Sequence, residues 1–142
     1  MNKLLSQYAA QGFKIVAFPC HQFGMQEPST NAELLNGLKH VRPGSGYEPH
    51  QDLHIFGKLE CNGENEHPLY RKLKDSCPAT RTRIGPKHML FWSPIQNGDL
   101  TWNFEKFLLD RKGRPRYRFA PDTWSSGSFV EKYLKELLAE KP

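Results

Sequence analysis

A run of mostly apolar, β-favouring residues, Phe13-Lys14-Ile15-Val16-Ala17-Phe18, stands between Gly12 and Pro19 and limits what the rest of the chain can be. A run of this kind between two breakers predicts a strand buried on both faces, as in sheets covered by helices. Helical patterns flank it. Leu4, Leu5 and Tyr8 share one face of a helix over Met1 to Ala10, which Gly12 is suited to end. Thr30 and Glu33 form a capping-box pattern ahead of Leu34, Leu35 and Leu38, so a second helix runs to about His40. Leu53 to Phe56 predicts a short strand, Cys61-Asn62-Gly63 a turn, and His67 to Asp75 a short helix with Pro68 near its start. Ser76 to Thr101 has little regular pattern. Phe104 to Leu109 and Pro115 to Phe119 flank a Lys112-Gly113 turn and predict a β-hairpin. The last helix has Ser126 or Ser128 as N-cap, and Phe129, Val130, Tyr133, Leu134, Leu137 and Leu138 form its core-facing stripe. The order is that of an α/β domain, yet it begins with a helix that no strand precedes.

The chain has 142 residues, enough for one domain with a single core. No apolar run nears the ~18 residues that span a bilayer, so membrane insertion is not expected. Met1 to Leu5 turns polar again at Ser6 and Gln7, so no secretory leader is read there, and the compartment, cytoplasmic or extracellular, is left open. Three cysteines, Cys20, Cys61 and Cys77, are an odd number without a C-x-x-C pair, which argues against a disulfide scaffold and against a zinc site. Lys and Arg number 20 against 15 Asp and Glu, a net charge of +5. The densest basic stretch, Arg111 to Arg118, reads as a solvated hairpin rather than a nucleic-acid surface, because acidic residues are spread through the remainder.

Two segments carry chemistry. Phe18-Pro19-Cys20-His21-Gln22-Phe23-Gly24-Met25-Gln26-Glu27-Pro28 follows the first strand, at the carboxyl end where open α/β sheets bind ligands. Leu100-Thr101-Trp102-Asn103-Phe104-Glu105-Lys106-Phe107-Leu108-Leu109 opens the hairpin. The first resembles the signature of the glutathione peroxidases, with His21 where that family has Asn, and Trp102 to Leu108 matches the family's second block residue for residue. Val41-Arg42-Pro43-Gly44, Cys61-Asn62-Gly63 (the family usually has Val before Asn-Gly) and His67-Pro68-Leu69-Tyr70 also fall at the family's places.

The resemblance implies a thioredoxin-like α/β fold, a central mixed sheet flanked by helices, with residues 1–142 as one domain incomplete at its N-terminus. It implies a thiol-dependent peroxidase acting on hydrogen peroxide and organic hydroperoxides, with Gln26, Trp102 and Asn103 around a peroxidatic selenocysteine or cysteine. Physical reasoning agrees: the attacking chalcogen must be anionic, a free thiol at pKa about 8.5 is mostly protonated at neutral pH, and amide and indole N–H groups favour the ionised form. The same donors can hold the departing oxygen. That peroxidatic residue and the first central strand are absent from the chain, as a gene reading that starts at the Met after a selenocysteine codon would produce. Cys20 is expected to be a buried inert thiol, and His21 to replace an Asn hydrogen bond.

The family's glutathione-using members hold the tripeptide's carboxylates with arginines, one of which maps to Arg42. A second pair falls near Pro121 and Asp122, and Arg116 and Arg118 are the candidates to stand in for it. No Cys lies between Asn31 and His40, where family members with a resolving thiol carry one, so glutathione or another small thiol is the expected co-substrate and no other cofactor or metal is expected. The long segment Ser76 to Thr101, with its apolar run Met89-Leu90-Phe91-Trp92, implies a homotetramer when full length. The alternative is a non-catalytic truncated protein of thioredoxin fold that binds or oligomerises. With the central strand absent, the Phe13 to Phe18 strand should have no ladder partner toward the hairpin, which leaves the chain of marginal stability on its own.

Overall fold

Helix α1 (Asn2–Tyr8) tightens into a 3-10 turn (Ala9–Gln11) that Gly12 closes at φ 93°, a backbone a residue without Cβ adopts at little cost. Leu4, Leu5 and Tyr8 are buried, as their spacing predicts. The computed structural model from which these features are read describes residues 1–124 and 127–141.

Strand β1 (Ile15–Ala17) pairs in parallel with β2 (Leu53–Ile55), Ile15 opposite Leu53 and Ala17 opposite Ile55. Strand β3 (Lys106–Leu109) pairs antiparallel with β4 (Pro115–Phe119) in a second two-stranded sheet. The expected single central mixed sheet is therefore not formed among the described residues. β1 has no ladder partner toward the hairpin, as anticipated, but it is not buried on both faces: Val16 is 50% exposed. A two-stranded sheet offers too little surface for helices to cover both sides.

Helix α2 (Leu34–His40) starts after a half-formed capping box, in which the Glu33 carboxylate accepts the Thr30 N–H at 2.8 Å and its hydroxyl at 2.7 Å. Helix α3 (Pro68–Ser76) has His67 as N-cap, its Nδ1 accepting the Leu69 N–H at 3.2 Å, and Pro68 where the missing N–H costs nothing. Helix α4 (Ser128–Ala139) is capped by Gly127 at φ 91° rather than by serine; Ser128 is its first residue, and Ser126 lies outside the described residues. From its stripe, Val130, Leu134 and Leu137 are buried against Leu4, Tyr8, Leu108 and Phe119, with Tyr133 and Leu138 partly buried at the margin. Phe129 is half exposed, so the stripe is narrower than predicted.

A second apolar cluster holds Cys20, Phe23, Cys61 and Leu100, bordered by Tyr70, Trp92, Trp102 and Phe107. Ser76 to Thr101 has one 3-10 turn (Lys87–Met89), and Leu90 forms an isolated antiparallel bridge with Phe23. Part of the apolar run expected to bury in a partner is thus used within the chain. Trp92 stacks edge-on to Phe23 at 5.2 Å and donates its indole N–H to Asp99 at 2.8 Å, while Phe91 remains 44% exposed. No helix of the described residues is long and apolar enough to cross a membrane.

The hairpin turn is built on Asp110, whose side chain is 2% exposed. Burial alone would raise its pKa, but the Arg114 and Lys112 N–H groups, at 3.0 and 2.9 Å, and the Arg114 guanidinium, at 2.7 Å, hold it at about 2. A carboxyl that binds its proton more weakly when folded stabilises above its unfolded pKa of about 3.9, and that contribution is lost as pH falls through about 2. Acid titration of the melting temperature should show a decline below pH 4 that Asp110→Asn flattens. An unchanged acid limb in the variant would refute this.

Candidate active site

The loop after β1 turns sharply because Gly24 and Met25 both take positive φ, 60° and 51°. A Cβ on Gly24 would meet the flexible end of Met89 at 2.9 Å and rest in ordinary contact with the Trp102 ring at 3.5 Å, so it is the left-handed backbone rather than lack of space that favours glycine there. The turn brings Gln26 back over Phe23, its N–H on the Phe23 carbonyl at 3.3 Å. Gln26 then meets Asn103 from the start of the hairpin: Asn103 Nδ2 donates to Gln26 Oε1 at 2.9 Å and to the Phe23 carbonyl at 3.5 Å. Trp102 leans on Phe23 with ring centroids 6.0 Å apart and is half-buried.

Gln26 and the adjacent pair Trp102-Asn103, far apart in the sequence, therefore meet on the Phe23 platform. With Gln26 Oε1 engaged by Asn103, its Nε2 donors and the Trp102 indole N–H have no acceptor among the described residues. Gln26 is exposed, so its amide donors are open to solvent, while Trp102 is half-buried. His21 Nδ1 meets the Glu27 carbonyl at 2.9 Å.

The arginines are placed differently. Arg42 is exposed just beyond α2, and its side chain forms no ion pair among the described residues. Arg118 is 1% exposed, pairs with the fully buried Glu105 at 2.6 Å, donates to the carbonyls of Cys77, Gly98 and Asp99, and lies over the Phe107 ring. Its guanidinium, expected by resemblance at a glutathione carboxylate, is committed to the chain's own oxygens. Arg116 donates from Nη1 to both carboxylate oxygens of Glu140, at 2.8 and 2.9 Å. Arg114 is held by Asp110, and Arg111 by the carbonyls of Gln11 and Leu138. The basic stretch is thus solvated as expected, Arg111, Lys112, Arg114 and Arg116 being exposed, with its arginines paired to groups of the chain itself.

One residue that sequence reasoning passed over organises the ground beneath the site. Gln22 is buried; its Oε1 accepts the N–H groups of Cys61 at 2.9 Å and Asn62 at 3.1 Å, and its Nε2 donates to the Asn62 carbonyl at 2.8 Å. Asn62, fully buried, exchanges two hydrogen bonds with the Leu100 backbone, at 2.9 and 3.0 Å. Side-chain amides thus tie the loop that carries Gln26 to the segment that carries Trp102 and Asn103. Its place beside Gln26 in one motif was the available signal. Among the described residues no group of three or more His, Cys, Asp or Glu is placed to hold a metal ion.

This is a mixed α/β chain whose architecture matches solved glutathione peroxidase structures. The crystal structure of T. cruzi GPX1 superposes with a TM-score of 0.55 at 27% identity, over 96% of this chain and 67% of that one. That of Trgpx in apo form gives a TM-score of 0.60 at 24% identity, and bears on the fold alone. The glutathione peroxidase family model matches residues 1–74. Glutathione peroxidase 3 of Caenorhabditis elegans is 55% identical over 139 residues, and the cuticular glutathione peroxidase of Wuchereria bancrofti 56%, each over 98% of this chain. Glutathione peroxidase 6 of Homo sapiens is 46% identical over 96% of the chain. The chain belongs to the glutathione peroxidase family. It spans about 62% of the length of these curated relatives.

Proposed function

We propose that this chain carries the donor side of a thiol-dependent peroxidase site, which reduces hydrogen peroxide and organic hydroperoxides with glutathione as reductant. The observation that carries the reading is the Gln26–Asn103 hydrogen bond beside Trp102, with the Gln26 amide N–H groups and the Trp102 indole N–H left without an acceptor among the described residues. Such donors stabilise a thiolate or selenolate without supplying a competing charge. The chalcogenolate attacks one peroxide oxygen, the O–O bond breaks, and the departing oxygen leaves as water or alcohol; two thiols then return the chalcogen to its reduced form and leave as a disulfide. In this reading residues 1–142 form one domain, and the peroxidatic residue is not among them. Arg42, exposed and unpaired, is the candidate for a glutathione carboxylate, and Arg118 is structural. Phe91 and Ile95, 44% and 46% exposed, belong to a face offered to other copies in a homotetramer.

Glutathione-dependent peroxide consumption by the 142-residue chain is expected to stay at the uncatalysed rate. In the protein isolated from its natural source, Gln26→Ala is expected to lower kcat/KM by about 10²-fold, the usual effect of removing one preorganised donor. Robust turnover by the 142-residue chain, abolished by Cys20→Ser, would overturn the assignment.

A further inference from the structure

The pairing of β1 and β2 continues past the strand ends. Phe56 donates its N–H to the Ala17 carbonyl at 2.9 Å, and Leu59 donates to the Pro19 carbonyl at 3.2 Å. The chain entering Cys20 therefore runs beside the chain approaching Cys61. Gln22 Oε1 ties the two together, accepting the Cys61 N–H at 2.9 Å and the Cys20 S–H at 3.5 Å. Both thiols sit in the cluster with Phe23 and Leu100, within hydrogen-bonding reach of each other, and both are reduced. Cys77, also reduced, lies at the end of α3 outside that cluster.

We propose that Cys20 and Cys61 form a redox-active dithiol, a modification site that a small hydroperoxide converts into an intramolecular disulfide. The roles within the pair are unequal. The Cys61 thiol, against the opposing effect of burial and with help from the backbone N–H groups of Gln22 and Cys61, holds Cys20 down at about 7. The same hydrogen bond, together with burial, pushes Cys61 up. Cys20 is thus the thiol that gives up its proton, and with it the contact to Gln22 Oε1, when it attacks, and Cys61 is the partner that keeps its own.

The Cys20 sulfur attacks one peroxide oxygen and the O–O bond breaks. Sulfur is oxidised to the sulfenic acid, and the departing oxygen takes up the proton Cys20 had released, leaving as water or alcohol. The Cys61 sulfur then attacks the Cys20 sulfur, the S–O bond breaks, and hydroxide leaves with the Cys61 proton as water. Two thiols and one hydroperoxide give one disulfide, one water or alcohol, and one further water. Cys20 and Cys61 are 8% and 2% exposed, so the oxidant named is a small one, hydrogen peroxide. The event is a single oxidation per chain and does not depend on the peroxidase reading, since it is read as a cross-link rather than as turnover.

The test treats the full chain with one equivalent of hydrogen peroxide in the absence of thiol, blocks remaining thiols with N-ethylmaleimide, and identifies peptides by mass spectrometry. Peptides linked through Cys20 and Cys61 should dominate, with Cys77 blocked and Cys77→Ser giving the same link. In Cys61→Ala the link should vanish and dimedone should trap a sulfenic acid on Cys20. Recovery of Cys20 and Cys61 both blocked, or of Cys20 sulfenic acid without a link in the wild-type chain, would overturn the proposal. So would a dominant Cys61–Cys77 link, the shorter loop that an unfolded chain closes more readily.

Discussion

Replacing Glu105 by Ala should remove the cooperative melting transition of the chain. The Glu105 carboxylate is fully buried, pairs with Arg118 at 2.6 Å, and accepts the Thr101 N–H at 2.7 Å and the Thr80 hydroxyl at 3.2 Å. Truncation leaves a guanidinium 1% exposed without its counter-charge and a backbone N–H without an acceptor. Breaking a buried pair from one side costs about 3–5 kcal/mol. A domain has only about 5–15 kcal/mol in total, and one whose sheets each have two strands stands at the low end. Glu105→Gln keeps an oxygen for Thr101 and should lose less. Circular dichroism melting checks both, and an unchanged midpoint for Glu105→Ala would show that the pair contributes nothing.

Gln22→Leu should have an effect of nearly the same size, although it keeps the bulk of the side chain. It strands the N–H groups of Cys61 and Asn62 and the carbonyl of Asn62 in a buried place. Each orphaned group costs about 1–3 kcal/mol. Gln26→Leu, a few residues along, alters an exposed side chain and should shift stability by no more than about 0.5 kcal/mol. Equal melting midpoints for the two variants would refute the distinction between a structural and a site glutamine.

The sequence was most legible where the cause is local. Pro68 after His67 started α3, Lys112-Gly113 turned the hairpin, and the spacing of Val130, Leu134 and Leu137 placed the inner face of α4. Burial of β1 was misjudged because the apolar character of Val16 says what could be covered and nothing about whether a layer exists to cover it. Gly127 in place of a serine cap reflects a left-handed residue that the approach of Leu4 favours, a contact from the other end of the chain. Gln26, Trp102 and Asn103 were reached by motif, and their meeting on Phe23 by geometry alone. The burial of Arg118 and of Gln22 was not legible for one reason: their partners lie far along the chain, and neither composition nor periodicity marks a polar residue as buried.

The two sheets are joined by amides and a guanidinium rather than by a ladder, and this decides where substitution is tolerated. A ladder is indifferent to side chains, since any residue but proline offers the same N–H and C=O. A join made by Gln22, Asn62, Glu105 and Arg118 has no such indifference, because each supplies donors and acceptors at one length and one angle. In the apolar clusters, swaps of similar volume cost little. The intolerant positions of this chain are therefore polar ones, on loops and strand ends, and a survey of random variants would recover them as if they were catalytic although they touch no substrate.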